Sequence, residues 1–328
     1  MVRRIGYIFE EVVSFENLLK AFYKAKKGAG KTEDANRFFY NLESEIAALQ
    51  IELMTGDYQP GEYRKFTIYE PKERVISVAP FRDRVVHHAV VSVLEPIFEK
   101  VFIHDSYATR KKKGTHKAVL RAQEFIRKNR WFLKSDIKSY FASIDVDILL
   151  KITKRKIKDP QLMALLEKIF KNGSEKHRGL PIGNLTSQFF ANVYLNIFDH
   201  FVKEELKVKE YIRYMDDFVV FSEDKEVLKA IKNKVRDFLS TELKLTPKES
   251  ATYINSSTNG LGFLGKRVFP GTIRIKRENL KRSMANLKKR CFEFENNAIS
   301  ELRFTQSIAS ITEYLSEGNT YKFRNTLI

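Results

Sequence analysis

The sequence predicts an α+β protein, and three observations carry that reading. Apolar residues recur every three to four positions over many segments long enough to be helices. Between these segments stand a few short runs of β-branched and aromatic residues. The clearest pair is Tyr211-Ile212 and Phe218-Val219-Val220-Phe221, flanking Tyr214-Met215-Asp216-Asp217. Two apolar runs around a tight polar break read as a β-hairpin. The third observation is scale: 328 residues, 43% of them apolar, suffice for a large core and more than one subdomain.

Composition narrows the function classes. Fifty-nine Lys and Arg against 41 Asp and Glu leave a net charge of +18. Such an excess points to a polyanionic partner, because surface cations gain by displacing phosphate counterions. Enrichment in Lys and Glu together, as in thermostable proteins, would not produce the imbalance. Cys291 is the single cysteine, so an internal disulfide and a Cys-based zinc site are excluded, in keeping with a reducing cytoplasm. No apolar run approaches a membrane span. The N-terminal stretch, with Arg3, Arg4, Glu10 and Glu11, lacks the apolar centre of a signal peptide.

In chain order, residues 14–27 predict a helix with Phe15, Leu18, Leu19 and Phe22 on one face. Gly30-Lys31-Thr32 imitates the end of a phosphate-binding loop. Ala25 stands where that motif needs glycine, and the preceding segment is helical rather than a strand. Residues 33–55 predict one long helix through Phe38, Leu42, Ile46, Leu49 and Leu53. Residues 64–70 and 74–79 predict two strands joined at Pro71-Lys72-Glu73. A helix from Phe81 to Lys100 turns Val85, His88, Ala89, Val93 and Leu94 inward. Adjacent His87 and His88 point about 100° apart and cannot share a metal. Arg110-Lys111-Lys112-Lys113-Gly114 is a dense basic turn into a helix that Thr115 is expected to cap, a place where backbone amides and lysines could meet phosphate.

Trp131 to Ile137 reads as an apolar strand ending in the carboxylate of Asp136. Helices follow from about Asp145, over 160–171, and over about 184–203 with Phe189, Phe190, Val193 and Ile197 inward. After the Tyr214 hairpin come a helix at 225–240 and a hairpin begun by Leu261 to Gly265 that turns at Pro270-Gly271. From Lys276 the chain becomes helical and basic. Leu280, Met284, Leu287 and Cys291 form an apolar stripe among Lys281, Lys288 and Lys289, and a further helix covers 299–316.

Two carboxylates at a hairpin tip flanked by buried strands are costly unless something binds them. Oxygen donors suit Mg²⁺, which takes one or two carboxylates and keeps substrate phosphates in its shell. Asp136 and Asp216 lie 80 residues apart, each at the end of an apolar strand, and neighbouring strands in one sheet would bring them together. Two-metal phosphoryl transfer requires such a pair, with ions about 4 Å apart. Alone, Asp136 would read as a turn or helix cap; beside the Asp216-Asp217 hairpin it reads as a metal ligand.

The order of these motifs resembles a reverse transcriptase over nearly the whole chain. The resemblance implies a right-hand polymerase fold: fingers with N-terminal helices over 1–130, including a hairpin at about 64–80; palm over 131–274, with an insertion at about 145–180; and a helical thumb over 275–328. It implies two Mg²⁺, with Mn²⁺ as an alternative, held by Asp136, the Ile137 backbone and Asp216. Asp217 and Lys248 join the catalytic set, Lys248 as the candidate general acid for pyrophosphate. Lys72, Arg74, Ile137, Phe141, Ile182, Gly183, Gln188 and Tyr214 would line the nucleotide site, Phe141 excluding a 2′-hydroxyl. Phe263-Leu264-Gly265 resembles the primer grip. With Lys111, Lys112 and Lys113 of the basic turn and Lys281, Lys288 and Lys289 of the thumb, it would contact nucleic acid.

Two positions depart from the common pattern. Most reverse transcriptases have Pro-Gln-Gly and then Ser-Pro where this chain has Pro181-Ile182-Gly183 and Ser187-Gln188. That combination is similar to the reverse transcriptases of diversity-generating retroelements. It implies error-prone, adenine-directed copying of a template-repeat RNA into cDNA from a primer and deoxynucleoside triphosphates, with an oligomeric, basic accessory variability protein as partner. A bacterial, archaeal or phage-encoded cytoplasmic protein is expected, without ribonuclease H, nuclease or zinc-binding region. The alternatives are a retron or group II intron-like reverse transcriptase, and a catalytically inactive RNA-binding scaffold of the same fold.

Overall fold

The computed structural model describes residues 5–28, 32–69 and 73–325. Gly30-Lys31, Pro71 and Lys72 lie outside the described residues. The chain forms two compact units that alternate along the sequence. The first comprises Met1–His104, Ile137–Lys207 and Val235–Lys248; the second comprises Asp105–Asp136, Val208–Lys234 and Glu249–Ile328.

In chain order, the first unit opens with α1 (Phe9–Val13), α2 (Phe15–Lys27), α3 (Glu33–Tyr40), α4 (Leu42–Thr55), β1 (Arg64–Ile68), β2 (Arg74–Val78) and α5 (Phe81–Glu99). The second supplies α6 (Thr115–Lys128) and β3 (Trp131–Ser135). The first resumes with α7 (Tyr140–Ser143), α8 (Val146–Lys154), α9 (Pro160–Lys171) and α10 (Leu185–His200). The second continues with β4 (Tyr211–Tyr214), β5 (Asp217–Ser222) and the start of α11 (Lys225–Leu243), whose end belongs to the first. Its closing segment carries β6 (Tyr253–Ser256), β7 (Leu261–Phe263), β8 (Lys266–Val268), β9 (Ile273–Ile275), α12 (Arg277–Glu295), α13 (Glu301–Ser316) and α14 (Tyr321–Arg324).

Caps and aromatic packing organise the first unit. The Ser14 hydroxyl accepts the Asn17 amide and starts α2. Asp159 caps α9 through the Leu162 amide, while its other oxygen accepts the Ile8 and Phe9 amides, each at 3.0 Å. One carboxylate thus satisfies the first amides of two helices, a contribution of about 1 kcal/mol per cap. Phe22 of α2 is fully buried, stacked on Phe38 at 5.5 Å and edge-on to Phe81 at 5.8 Å. Burying such a ring contributes roughly 1.5–3 kcal/mol. Phe189 and Phe190 of α10 continue this packing against Phe98 and Phe170.

The second unit is built on an antiparallel sheet of order β4-β5-β3-β6. One face of it presents Phe132, Ile212, Val219 and Phe221. These pack with Val119, Ala122, Phe125 and Ile126 of α6, and with Leu261, Phe263, Val268 and Ile273 of a smaller β7-β8-β9 sheet. Backbone and side-chain bonds join this smaller sheet to the terminal helices. Lys266, almost fully buried, donates to the Tyr314 carbonyl and pairs with Glu317 at 3.1 Å, and the Asn279 amide group donates to the Gly265 carbonyl.

Several expectations are corrected. The helix predicted over 33–55 breaks into α3 and α4 at Asn41, whose backbone leaves helical geometry and whose side-chain amide donates to the Arg37 carbonyl. Asn competes with the helix for backbone partners in this way. On α5 the buried histidine is His87, not His88, because the helix is covered on most of its surface. Burial pulls His87 down to about 3, so it stays neutral. Thr115 does not cap α6. Gly114 takes the cap position with φ 109°, a left-handed geometry only glycine tolerates readily, and Thr115 falls inside the first turn. Ile197 is only partly buried, while Phe198 is fully buried. The strand pair from Leu261 turns first at Leu264-Gly265, and Pro270-Gly271 forms the second turn.

Candidate active site

The register of the four-stranded sheet positions the acidic groups. Ser135 of β3 pairs with Phe218 of β5, so Asp136 and Asp217 stand at the same end of adjacent strands, just past the last rung. Side chains alternate along a strand. Lys134, Asp136 and Asp217 therefore share the face that carries Phe132 and Val219. Lys134 Nζ lies 2.8 Å from both oxygens of Asp217. Burial pushes the Asp217 carboxyl up to about 6; Lys134 draws it back, the Asp136 charge adds to the rise, and Lys276 opposes it.

Met215 and Asp216 form the two-residue turn between β4 and β5, with Tyr214 paired to Asp217. Asp136, Asp216 and Tyr214 are partly exposed, and Tyr214 packs at the edge of the second unit's core. Among the described residues, no group of three or more His, Cys, Asp or Glu side chains is arranged to hold an ion. The donor chemistry nevertheless fits Mg²⁺, which needs no such cage and completes its shell from phosphates and water. The mutual repulsion of Asp136 and Asp217 is also what a bound cation would relieve.

The candidate nucleotide-site residues of the first unit are tied together by backbone bonds. The Phe141 carbonyl accepts the Leu180 amide at 2.8 Å, and the Ile182 carbonyl accepts the Ser77 amide of β2 at 2.8 Å. Ile182, Phe141, Gln188 and Lys248 are partly exposed, while Arg74 at the start of β2 is exposed. Gly183 has φ 115°, and a Cβ there would stand 2.8 Å from the Ile76 side chain and 3.0 Å from the Ser77 carbonyl. Only glycine lets this loop lie against β2. Ile137 is buried and bridges Pro247, and the Lys138 amide donates to the Thr246 carbonyl, fixing the strand-like stretch that leads to Lys248.

The expected nucleic-acid contacts are mixed. Phe263 is fully buried in the core, a correction to its reading as a surface contact; only the Leu264-Gly265 turn beside it is partly open. Lys111 and Lys112 are exposed, and the Lys113 ammonium sits 4.8 Å from the Tyr107 ring. Lys281, Lys288 and Lys289 are exposed on α12, and Lys289 lies 3.9 Å from Glu293. Sequence reasoning missed Lys134, although its alternation with Asp136 on a strand was the available signal.

Comparison with known proteins gives the family. The family described as "Reverse transcriptase (RNA-dependent DNA polymerase)" matches residues 64–267, more than half of the chain. The chain belongs to the reverse transcriptase family. Among relatives of this reverse transcriptase, Protein YkfC of Escherichia coli (strain K12) is 29% identical over 275 residues, covering 69% of this chain and 72% of that protein. Group II intron-encoded protein LtrA of Lactococcus lactis subsp. cremoris is 26% identical over 320 residues, covering 76% of this chain. The chain spans only 53% of the length of LtrA. A solved telomerase from Candida albicans aligns at 10% identity with a TM-score of 0.50, covering 68% of this chain and 48% of that one. At that identity the likeness speaks for the polymerase fold alone. No described helix of the reverse transcriptase is long and apolar enough to cross a membrane.

Proposed function

We propose that this reverse transcriptase is an error-prone polymerase of the diversity-generating-retroelement class. It copies a template-repeat RNA into cDNA in the cytoplasm, with an oligomeric, basic accessory protein as partner. The observation that carries the class is the Pro181-Ile182-Gly183 loop with Ser187-Gln188 behind it. The loop's backbone is fixed against β2 while the Ile182 side chain stays partly open. A glutamine at this position could both donate and accept hydrogen bonds; isoleucine offers apolar contact only. A site with one fewer positioning bond separates correct from incorrect transition states by less free energy.

Within this reading, fingers, palm and thumb follow the boundaries near 130 and 274. Asp136, the Ile137 carbonyl and Asp216 would hold Mg²⁺. The bound ions would activate the primer 3′-hydroxyl and steady the leaving pyrophosphate. Lys134 orients the Asp217 carboxylate through its two 2.8 Å contacts and favours the ionised form. Arg74 grips the triphosphate, Phe141 fills the space of a 2′-hydroxyl, Gly183 and Gln188 support the nascent base pair, and Lys248 donates a proton to pyrophosphate. The Leu264-Gly265 turn steadies the primer, and the lysines of α12 hold the duplex backbone.

Relatedness to LtrA favours a second reading, a group II intron-like reverse transcriptase of ordinary fidelity. Sequencing separates the two. cDNA made by wild type and by Ile182→Gln on one adenine-containing RNA is compared position by position. The first reading expects misincorporation concentrated at template adenines in wild type and reduced there in the variant. Equal adenine error rates in the two enzymes would reject it, and a lowered melting temperature with an unchanged error spectrum would assign Ile182 to packing.

A further inference from the structure

The turn that carries Asp216 is braced by a buried cation. Met215 opens this turn with φ 56°. A residue with a β-carbon occupies that left-handed region only when its surroundings impose it. Arg213 precedes it by two residues on β4 and is fully buried. Its guanidinium donates from Nη1 to the Met215 carbonyl at 3.0 Å and from Nη2 to Ser106 Oγ at 3.2 Å. The Met215 carbonyl and the Asp216 amide belong to one planar peptide unit. Fixing that carbonyl fixes the peptide plane that places the Asp216 N and Cα, and with the Tyr214–Asp217 pairing on the far side it restricts the direction in which the Asp216 side chain leaves the backbone.

Arg213 is itself held. Its amide donates to the Asp105 carbonyl at 2.9 Å and its carbonyl accepts the Tyr107 amide at 3.0 Å, so residues 105–107 lie along β4 in parallel. Arg121 of α6 donates from Nε to the Asp105 carboxylate at 2.9 Å, which anchors that segment to the helix. Removing a guanidinium wholly from water is unfavourable unless its donors are used, and an aliphatic side chain would fill the same volume without that penalty. Packing alone therefore does not call for arginine here.

We propose that Arg213 is a positioning residue, setting the Met215-Asp216 peptide so that the Asp216 carboxylate faces the metal. This rests on the reading of Asp216 as a metal ligand. The test compares wild type with Arg213→Met, Arg213→Lys, Ser106→Ala and, as reference, Asp216→Asn. Folding is followed by thermal melting and primer–template affinity by titration. Hydrogen exchange over residues 211–222, without metal or nucleotide, reads the turn itself.

Arg213→Met is expected to lower kcat by about 10²-fold, the scale of a small misplacement. It should raise the Mg²⁺ concentration for half-maximal rate and speed exchange at the Met215 and Asp216 amides, with primer–template affinity unchanged. Arg213→Lys should recover part of the rate, and Ser106→Ala should shift the same readouts less. Should the methionine variant fail to fold, the other two decide. Wild-type turn exchange and Mg²⁺ dependence in the folded variants would overturn the proposal, as would losses that track unfolding alone. A dead Asp216→Asn beside wild-type-like Arg213 and Ser106 variants removes only the positioning role, whereas an active Asp216→Asn removes the metal-ligand reading beneath it.

Discussion

Asp217 shows how one residue joins strand register to chemistry. Its carboxyl lies against Lys134 at the start of β5, yet burial and the Asp136 charge lift it to about 6 from 3.8. Between those pH values the folded protein holds a proton that the unfolded chain has released. Stability of the metal-free protein should therefore fall as pH rises from about 4 to about 6. Urea midpoints across that window should decline in wild type and run flatter in Asp217→Asn; parallel curves would place the shift elsewhere. Phe141 makes a second prediction at this scale. Truncation to alanine should raise the ratio of ribonucleotide to deoxynucleotide incorporation on a primed template, and an unchanged ratio would remove Phe141 from the gate. The pairing of Lys134 with Asp217 was not legible beforehand, because a single sequence does not state which rung of β3 faces which rung of β5.

Elements were legible where one pattern dominated. Aromatic and β-branched runs marked β3, β4 and β5, and the polar break between the last two located the turn. Patterns failed where burial is two-sided or where a local competitor intervenes. The apolar stripe on α5 put His88 inward, and only packing decides that His87 is the enclosed one. Asn41 divides a continuous apolar period because its side chain competes for the backbone. Phe263 was grouped with Leu264 and Gly265 by the resemblance to a primer grip alone, whereas strand alternation turns its ring into the core. The basic face of α12 follows from helical spacing alone. Neutralising Lys281, Lys288 and Lys289 together should weaken nucleic-acid binding and flatten its salt dependence by roughly one unit for each lysine that meets a phosphate. An unmoved slope of log affinity against log salt would leave these lysines merely solvated.

At the scale of the whole molecule, neither unit is a continuous piece of chain. The second draws its sheet and core from three separate segments, so the carboxylates at 136 and 216–217 are brought together only when segments some 80 residues apart pair. The net charge of +18 suits a polyanion, but charge alone would serve an inactive RNA-binding scaffold equally well. What separates polymerase from scaffold is the chemistry of the turn. The most direct test is extension of a DNA primer on an RNA template with Mg²⁺ by wild type and Asp216→Asn, with RNA affinity measured on both. The account predicts extension by wild type, none by the variant, and near-equal RNA binding. Wild-type-like extension by Asp216→Asn, or no extension by either protein, would contradict it.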